Sequence, residues 1–502
     1  MIPVTAIATR LSEWWKSHDD DLGDVWPFLL IANVLYLFLL GVAPLWYDEA
    51  NSYWFAEMPF ARMIAATAGD THPPLYYLML SFVVRVFGPS HFMLRFPSVM
   101  FGLLTIYIVR QIARELKLSQ AATLIALGLV TLSPFQLHFA QEARMYTLLQ
   151  ALVLGATLAA LRKQLMRFVL LSALSLWTHN YGLFYLVVNC GVLAWAVWKT
   201  QLRWPVFETV VITGLLGGAA LVLWLPWAFV LLGQMRTVAG GYWIMPVTPG
   251  ALVFTLTNLL YAFTLPPWLA PGAIMIGVGL LTWLTIRVIE KHDEAALLLA
   301  WIVFAPVALA VAVSILWRPI LLYRGLAPSL PALMLLVGWG AAQLPRAHRL
   351  YAAILITPLF VASIVGQYLW TPNQKGLQDH QVLDQLLAQW REGDIIIYSN
   401  EGYLVEWHSR AAHLPQAVLP RTCPQNNLGG LSEQTFRAYG IADPDPETIP
   451  WRRAWFVSTI FPTITQCEVD MSRAFLARHP HWLAFAIEGS EFIEANIWIV
   501  ER

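Results

Sequence analysis

Trp26-Pro27-Phe28-Leu29-Leu30-Ile31-Ala32-Asn33-Val34-Leu35-Tyr36-Leu37-Phe38-Leu39-Leu40 carries no charge, and neither do the five residues that follow it to Leu45. About 20 mostly apolar residues suffice to cross a bilayer, so the stretch 26–45 reads as a membrane span. Residues 1–25 before it are polar and hold Asp19, Asp20, Asp21 and Asp24, and no small-residue cleavage pattern follows the run. It therefore reads as a retained anchor behind a cytoplasmic segment, 1–25, and not as a cleaved signal. The composition agrees. Of 502 residues 58% are hydrophobic and 12% charged, whereas soluble domains carry about 45–50% and about 25%. That leaves too little polar surface to cover a water-soluble globule. The 24 Trp residues fit the same reading, because indoles gather at membrane–water interfaces. Zero net charge gives no reason to expect a nucleic-acid partner.

Short basic linkers mark the cytoplasmic side of such a chain. They fall at Arg110 to Lys117, Arg162 to Arg167, Lys199 to Arg203, Arg287 to Lys291 and Arg346 to Arg349. If all five are cytoplasmic, parity fixes the crossings between them. Two spans lie within 118–161, with an outer tip at 133–144. Two more lie within 167–198, turning at Thr178-His179-Asn180, and another pair within 295–341. Two apolar stretches, 73–88 and 250–264, exceed what parity allows, so they read as re-entrant or interfacial helices on the outer face. Irregular backbone at membrane depth survives only against protein or a watery cavity. The expected fold is an all-α polytopic membrane domain over 26–370 with 11 spans, or 13 if both extra stretches cross. After Trp370 no long apolar run remains. Asp394-Ile395-Ile396-Ile397-Tyr398 and Asn496-Ile497-Trp498-Ile499-Val500 are strand-like, and 371–502 reads as a small extracytoplasmic α/β domain. Cys190 lies in an apolar run, whereas Cys423 and Cys467 leave one disulfide open to that domain.

Ionisable groups near a bilayer are costly unless paired or functional. Parity puts four such clusters on the outer face. Trp46-Tyr47-Asp48-Glu49 joins two carboxylates that repel, so that one usually faces a partner or a metal while the other is solvated or hydrogen-bonded. Asp70-Thr71-His72-Pro73-Pro74-Leu75-Tyr76-Tyr77 holds an imidazole at a helix mouth fixed by two prolines. Gln141-Glu142-Ala143-Arg144-Met145-Tyr146 sits at a hairpin tip. Arg318 and Tyr323-Arg324-Gly325 precede a span, and an outer arginine offers a fork for phosphate oxygens. Each has a bland reading: a solvated loop end, a surface histidine, a local ion pair, a snorkelling arginine. Together they bring carboxylates, an imidazole and arginines to one face, as lipid-phosphate chemistry requires.

The ordered series Tyr47-Asp48-Glu49-Ala50, His72-Pro73-Pro74-Leu75-Tyr76-Tyr77, Leu94-Arg95-Phe96-Pro97-Ser98, Ser133-Pro134-Phe135 and Gln141-Glu142-Ala143-Arg144-Met145-Tyr146 resembles the GT-C membrane glycosyltransferases. The branch is that of the protein O-mannosyltransferases and the lipid A aminoarabinose transferase. Arg324-Gly325-Leu326-Ala327-Pro328 is similar to that branch's Arg-Tyr-Leu-x-Pro stretch, with Gly325 in place of the aromatic residue. The resemblance implies a polyprenyl-phosphate sugar donor used at the extracytoplasmic face of the inner membrane, and a lipid, glycan or protein acceptor. It makes Asp48 the general base and Glu49 a residue that orients the site or the acceptor. It gives Arg144 and Arg324 the departing phosphate, and allows a divalent metal held by Asp48, His72 and Glu142. Tyr76, Tyr146 and His179 join His72, Arg144 and Arg324 as expected substrate-binding residues. Thr71-His72-Pro73 departs from the Glu-Lys-Pro of the aminoarabinose enzymes, so the sugar does not carry over. The rival from another class is a transporter or flippase of a lipid-linked substrate. It calls for ionisable groups at mid-span and paired broken helices in related halves, whereas the charges here sit at span ends on one side.

Overall fold

The protein is described as a computed structural model covering residues 23–200, 206–240, 244, 246–262, 264–369, 371–375, 377–400, 402–419, 446–460, 466–490 and 493–502. The acidic residues 19–21, Arg203, Trp370 and Cys423 lie outside these. Six helices among the described residues are long and apolar enough to cross a bilayer: His91–Glu115, Gly182–Lys199, Phe207–Arg236, Pro267–Lys291, Glu294–Leu316 and Arg346–Leu369. A seventh crossing is available to Gln120–Thr131 and Pro134–Ala140, a pair bent by 50°. The bend has a local cause: Ser133 is extended and caps the second helix by accepting from Gln136 N, and Pro134 starts it without needing a backbone donor. The chain is a multi-pass membrane protein.

The two stretches in excess by parity form Leu75–Phe87 and Pro249–Tyr261, each 13 residues, or about 20 Å against a hydrocarbon core of about 30 Å. The stretch 320–341, the second half of the pair expected within 295–341, divides. Leu322 is extended, Tyr323–Leu326 is a 3₁₀ turn, and the α-helix begins only at Ser329. That interruption carries Arg324. The helix Ser329–Ala342 then packs backbone to backbone on Gln120–Thr131: a Cβ at Gly338 would stand 2.4 Å from the Ala122 carbonyl, so only glycine fits this approach.

Past Arg346–Leu369, five strands among the described residues form one sheet in the order β2-β1-β3-β5-β4: β1 Asp394–Tyr398, β2 Gln416–Val418, β3 Arg453–Ile460, β4 His481–Ser490 and β5 Ile493–Glu501. β1 runs parallel to β2 and β3, while β5 is antiparallel to β3 and β4. All five β1 residues are buried, so the continuous Ile395-Ile396-Ile397 run suits a central strand covered on both faces. Its first residue, Asp394, faces Arg453 in the register and pairs with its guanidinium. Cys467 is disulfide-bonded and Cys190 is free.

Candidate active site

Asp48 and Glu49 lie in the first turn of the helix Tyr47–Glu57, which starts where extended Trp46 turns in. A helix N-terminus favours carboxylates. Adjacent helical residues point about 100° apart, so the two cannot share a partner. Glu49 turns inward and is fully buried. Its Oε1 accepts from Arg95 Nε and Ala143 N, each at 2.8 Å, and its Oε2 from Arg95 Nη2 at 2.7 Å and Lys375 Nζ at 3.1 Å. Arg95 spends its remaining donors on the carbonyls of Leu40, Ala43 and Pro44, which pins the end of the first apolar run. Burial alone would raise the Glu49 carboxyl, but Arg95 and Lys375 outweigh it and hold it well below the usual carboxylate range.

Asp48 turns the other way, into a space between two arginines. Arg324 Nη1 donates to its Oδ2 at 2.8 Å, and Arg144 Nη2 lies 3.8 Å from the same oxygen. Burial pushes this carboxyl up, yet Arg144 and Arg324 together hold it below its ordinary value, so Asp48 is ionised. Arg144 reaches it from the turn after Ala140, and the same turn is stitched to the helix at several points. Arg144 Nη1 donates to Asp48 O, Ser52 Oγ and the Tyr77 hydroxyl at 3.3, 3.2 and 3.4 Å. Trp46 Nε1 donates to Glu142 Oε1 at 3.0 Å. Burial pushes the Glu142 carboxyl up to about 7, with Lys375 opposing the shift.

Tyr146 lies beneath both arginines, its ring centre 6.0 Å from the Arg144 guanidinium carbon and 5.9 Å from that of Arg324. A histidine pair closes the side. The rings of His72 and His179 meet edge to face at 5.3 Å, and His179 lies 6.0 Å from Tyr146. Their loops are tied by Asn180 Nδ2 donating to Thr71 O at 2.8 Å. Burial pushes both imidazoles down, His179 furthest, so both are neutral at pH 7. Tyr181 N donates to His179 Nδ1, which leaves the His179 proton on Nε2. His72 Nδ1 lies 3.3 Å from Asp70. The result is a cluster of two cations, one ionised carboxylate, two neutral imidazoles and a phenol ring.

No protein-family model matches the chain, and no curated protein matches it. Among solved structures, ArnT from Cupriavidus metallidurans in the apo state superposes with a TM-score of 0.57 at 14% identity, over 95% of this chain and 98% of that one. ArnT bound to undecaprenyl phosphate gives 0.57 at 13% identity over the same shares. The fold is GT-C-like. At such low identity the likeness concerns the fold, and the residues must be judged where they stand.

Asp48, His72, Arg144, Tyr146, His179 and Arg324 converge, although 276 positions separate Asp48 from Arg324. The structure places the other three expectations as follows. Of the two roles expected of Glu49, its geometry suits orienting the site: both its oxygens hold Arg95, Lys375 and the Ala143 amide. Tyr76 is fully buried, edge-on to Tyr77, and it is Tyr77 whose hydroxyl reaches Arg144. Asp48, His72 and Glu142 do not form one set of metal donors. Among the described residues no three His, Cys, Asp or Glu side chains gather as a metal site. Asp48 faces two guanidiniums, Glu142 faces Trp46 and His138, and His72 faces Asp70. A divalent cation does not fit beside those arginines. Sequence reasoning assigned no role to Arg95, Lys375 or Ser52. A signal for Arg95 existed, since an arginine inside an apolar helix asks for a partner. Lys375 lies in a polar stretch and had none.

Proposed function

We propose that this chain is a glycosyltransferase that moves a sugar from a polyprenyl-phosphate donor to an acceptor hydroxyl at the extracytoplasmic face of the inner membrane. One observation carries the reading: an ionised carboxylate, Asp48, stands between two arginines, with neutral imidazoles and Tyr146 beside them. ArnT, whose fold the chain shares, is known with undecaprenyl phosphate bound, and two guanidiniums suit such a phosphate.

Asp48 takes the proton of the acceptor hydroxyl as that oxygen attacks the anomeric carbon. The bond from that carbon to the phosphate oxygen breaks, and its electron pair stays on the phosphate. Arg144 and Arg324 neutralise the charge that grows there, the kind of stabilisation that acts most strongly in a water-poor site. Neutral His179 offers its Nε2–H, and His72 its ring, to sugar hydroxyls. No metal is needed in these steps, because phosphate is already a competent leaving group.

The test is sugar transfer by the purified, detergent-solubilised protein from a panel of polyprenyl-phosphate monosaccharides. Arg324→Met should raise the donor KM at least tenfold. No transfer from any donor, with movement of a lipid-linked sugar across vesicles, would replace this reading with a flippase.

A further inference from the structure

The helix that bears Asp48 is gripped from its far side by residues that follow the last membrane helix. Lys375 comes just after the short helix Thr371–Gln374. Its ammonium, almost wholly buried, donates to Glu49 Oε2 at 3.1 Å and to the Gln141 carbonyl at 3.2 Å. Those two acceptors belong to the two pieces of chain that present Asp48 and Arg144. One charge thus ties the base-bearing helix to the arginine-bearing turn.

Further along the same helix, the His408 ring lies flat on Trp54 at 3.7 Å and 7°, and its Nε2 meets Glu57 Oε2 at 3.0 Å. The short helix Gly402–Glu406 packs along the Tyr47–Glu57 helix, and His380 Nε2 lies 3.4 Å from the Leu45 carbonyl just before it. Residues after the last membrane helix therefore hold the Asp48 helix at its start, at Glu49 and at its end.

We propose that the C-terminal domain is a working part of the active site, and that Lys375 is the positioning residue through which it acts, by way of Glu49. The inference rests on the transferase reading above. Glu49 keeps both Arg95 bonds when Lys375 is lost, so the helix stays docked. What goes is the tie between that helix and the Gln141 carbonyl, and with it the fixed spacing of Asp48 from Arg144. A small misplacement of a catalytic group is costly, since a shift of about 1 Å can slow a reaction about a hundredfold.

The test compares wild type with Lys375→Met, Lys375→Arg and His408→Ala in nanodiscs, by steady-state transfer and by hydrogen exchange over residues 47–57. Lys375→Met should lower kcat at least tenfold, leave the donor KM within threefold, and speed exchange in 47–57. Lys375→Arg should restore kcat to within threefold of wild type. His408→Ala should speed exchange toward residue 57. Unchanged kcat in Lys375→Met, or equal loss in the Met and Arg variants, would overturn the proposal. If the wild type transfers no sugar at all, the transferase reading fails. Exchange over 47–57 would then still decide whether Lys375 holds the helix.

Discussion

Asp48→Asn should destroy turnover and at the same time tighten the binding of polyprenyl phosphate. Asparagine has nearly the shape of aspartate and still accepts a hydrogen bond from Arg324, so the fold is preserved. It cannot take the acceptor proton, and general-base assistance of this kind contributes about 10²–10⁴ in rate. The gain in binding follows from what Asp48 does before the donor arrives. Its Oδ2 holds Arg324 at 2.8 Å and draws Arg144 to 3.8 Å, so an incoming phosphate must compete with it for both guanidiniums. A hydrogen bond to a charged partner is worth roughly 1.5–3 kcal/mol, and the pair is partly open to water, which favours the lower end. Since about 1.4 kcal/mol is tenfold in affinity, the variant should bind undecaprenyl phosphate about ten times more tightly. The assay pairs transfer rates with binding of radiolabelled undecaprenyl phosphate to the nanodisc-embedded protein. Weaker binding in Asp48→Asn would show that the carboxylate helps the phosphate, and the competition argument would fall. Retained turnover would remove Asp48 as the base.

Two further outcomes follow from the same geometry. A Cβ at Gly325 would lie 2.9 Å from the Tyr181 ring, whose hydroxyl donates to Ile320 O and accepts from Leu322 N. Gly325→Ala should therefore lower stability by about 1–3 kcal/mol, the usual cost of overpacking, and raise the donor KM by shifting Arg324; a thermal melt with donor titration checks both. The second concerns pH. The folded state raises the Glu142 carboxyl from its ordinary 4.5 to about 7, so between those values the folded chain keeps a proton that the unfolded chain gives up. Its stabilising effect is complete below pH 4.5 and is lost as pH rises through 7, by at most about 3 kcal/mol. Melting temperature should fall between pH 5 and 7.5 in wild type, and the fall should be shallower in Glu142→Gln.

How much of this was legible in the sequence depended on which physical signal each residue carried. Membrane class and the C-terminal sheet domain were readable because long apolar stretches and short β-branched runs are local signals. The charged clusters were readable because charge near a bilayer needs a reason. Their pairing was not, because Asp48 and Arg324, or Glu49 and Lys375, meet only through the packing of helices far apart in the chain. The doublet Asp48-Glu49 shows the limit most clearly. Sequence spacing says that the two point in different directions, but only the position of Arg95 says which one is inside. Gly325 is the converse case. It read as a departure from the Arg-Tyr-Leu-x-Pro pattern, and the structure supplies the reason, since the Tyr181 ring fills the space a side chain at 325 would need.

The division of labour within that doublet bears on the order of events. Glu49 is neutralised by residues of the protein itself, so no substrate alters its charge. Asp48 is neutralised by the two arginines that the donor phosphate would claim. On the proposed reading, the base is masked while the site is empty and unmasked when the phosphate takes Arg324. Acceptor hydroxyls, water included, then meet a competent base only once a donor is in place. A site built in this way limits idle proton transfer without a lid, because the same two cations serve first the carboxylate and then the leaving group.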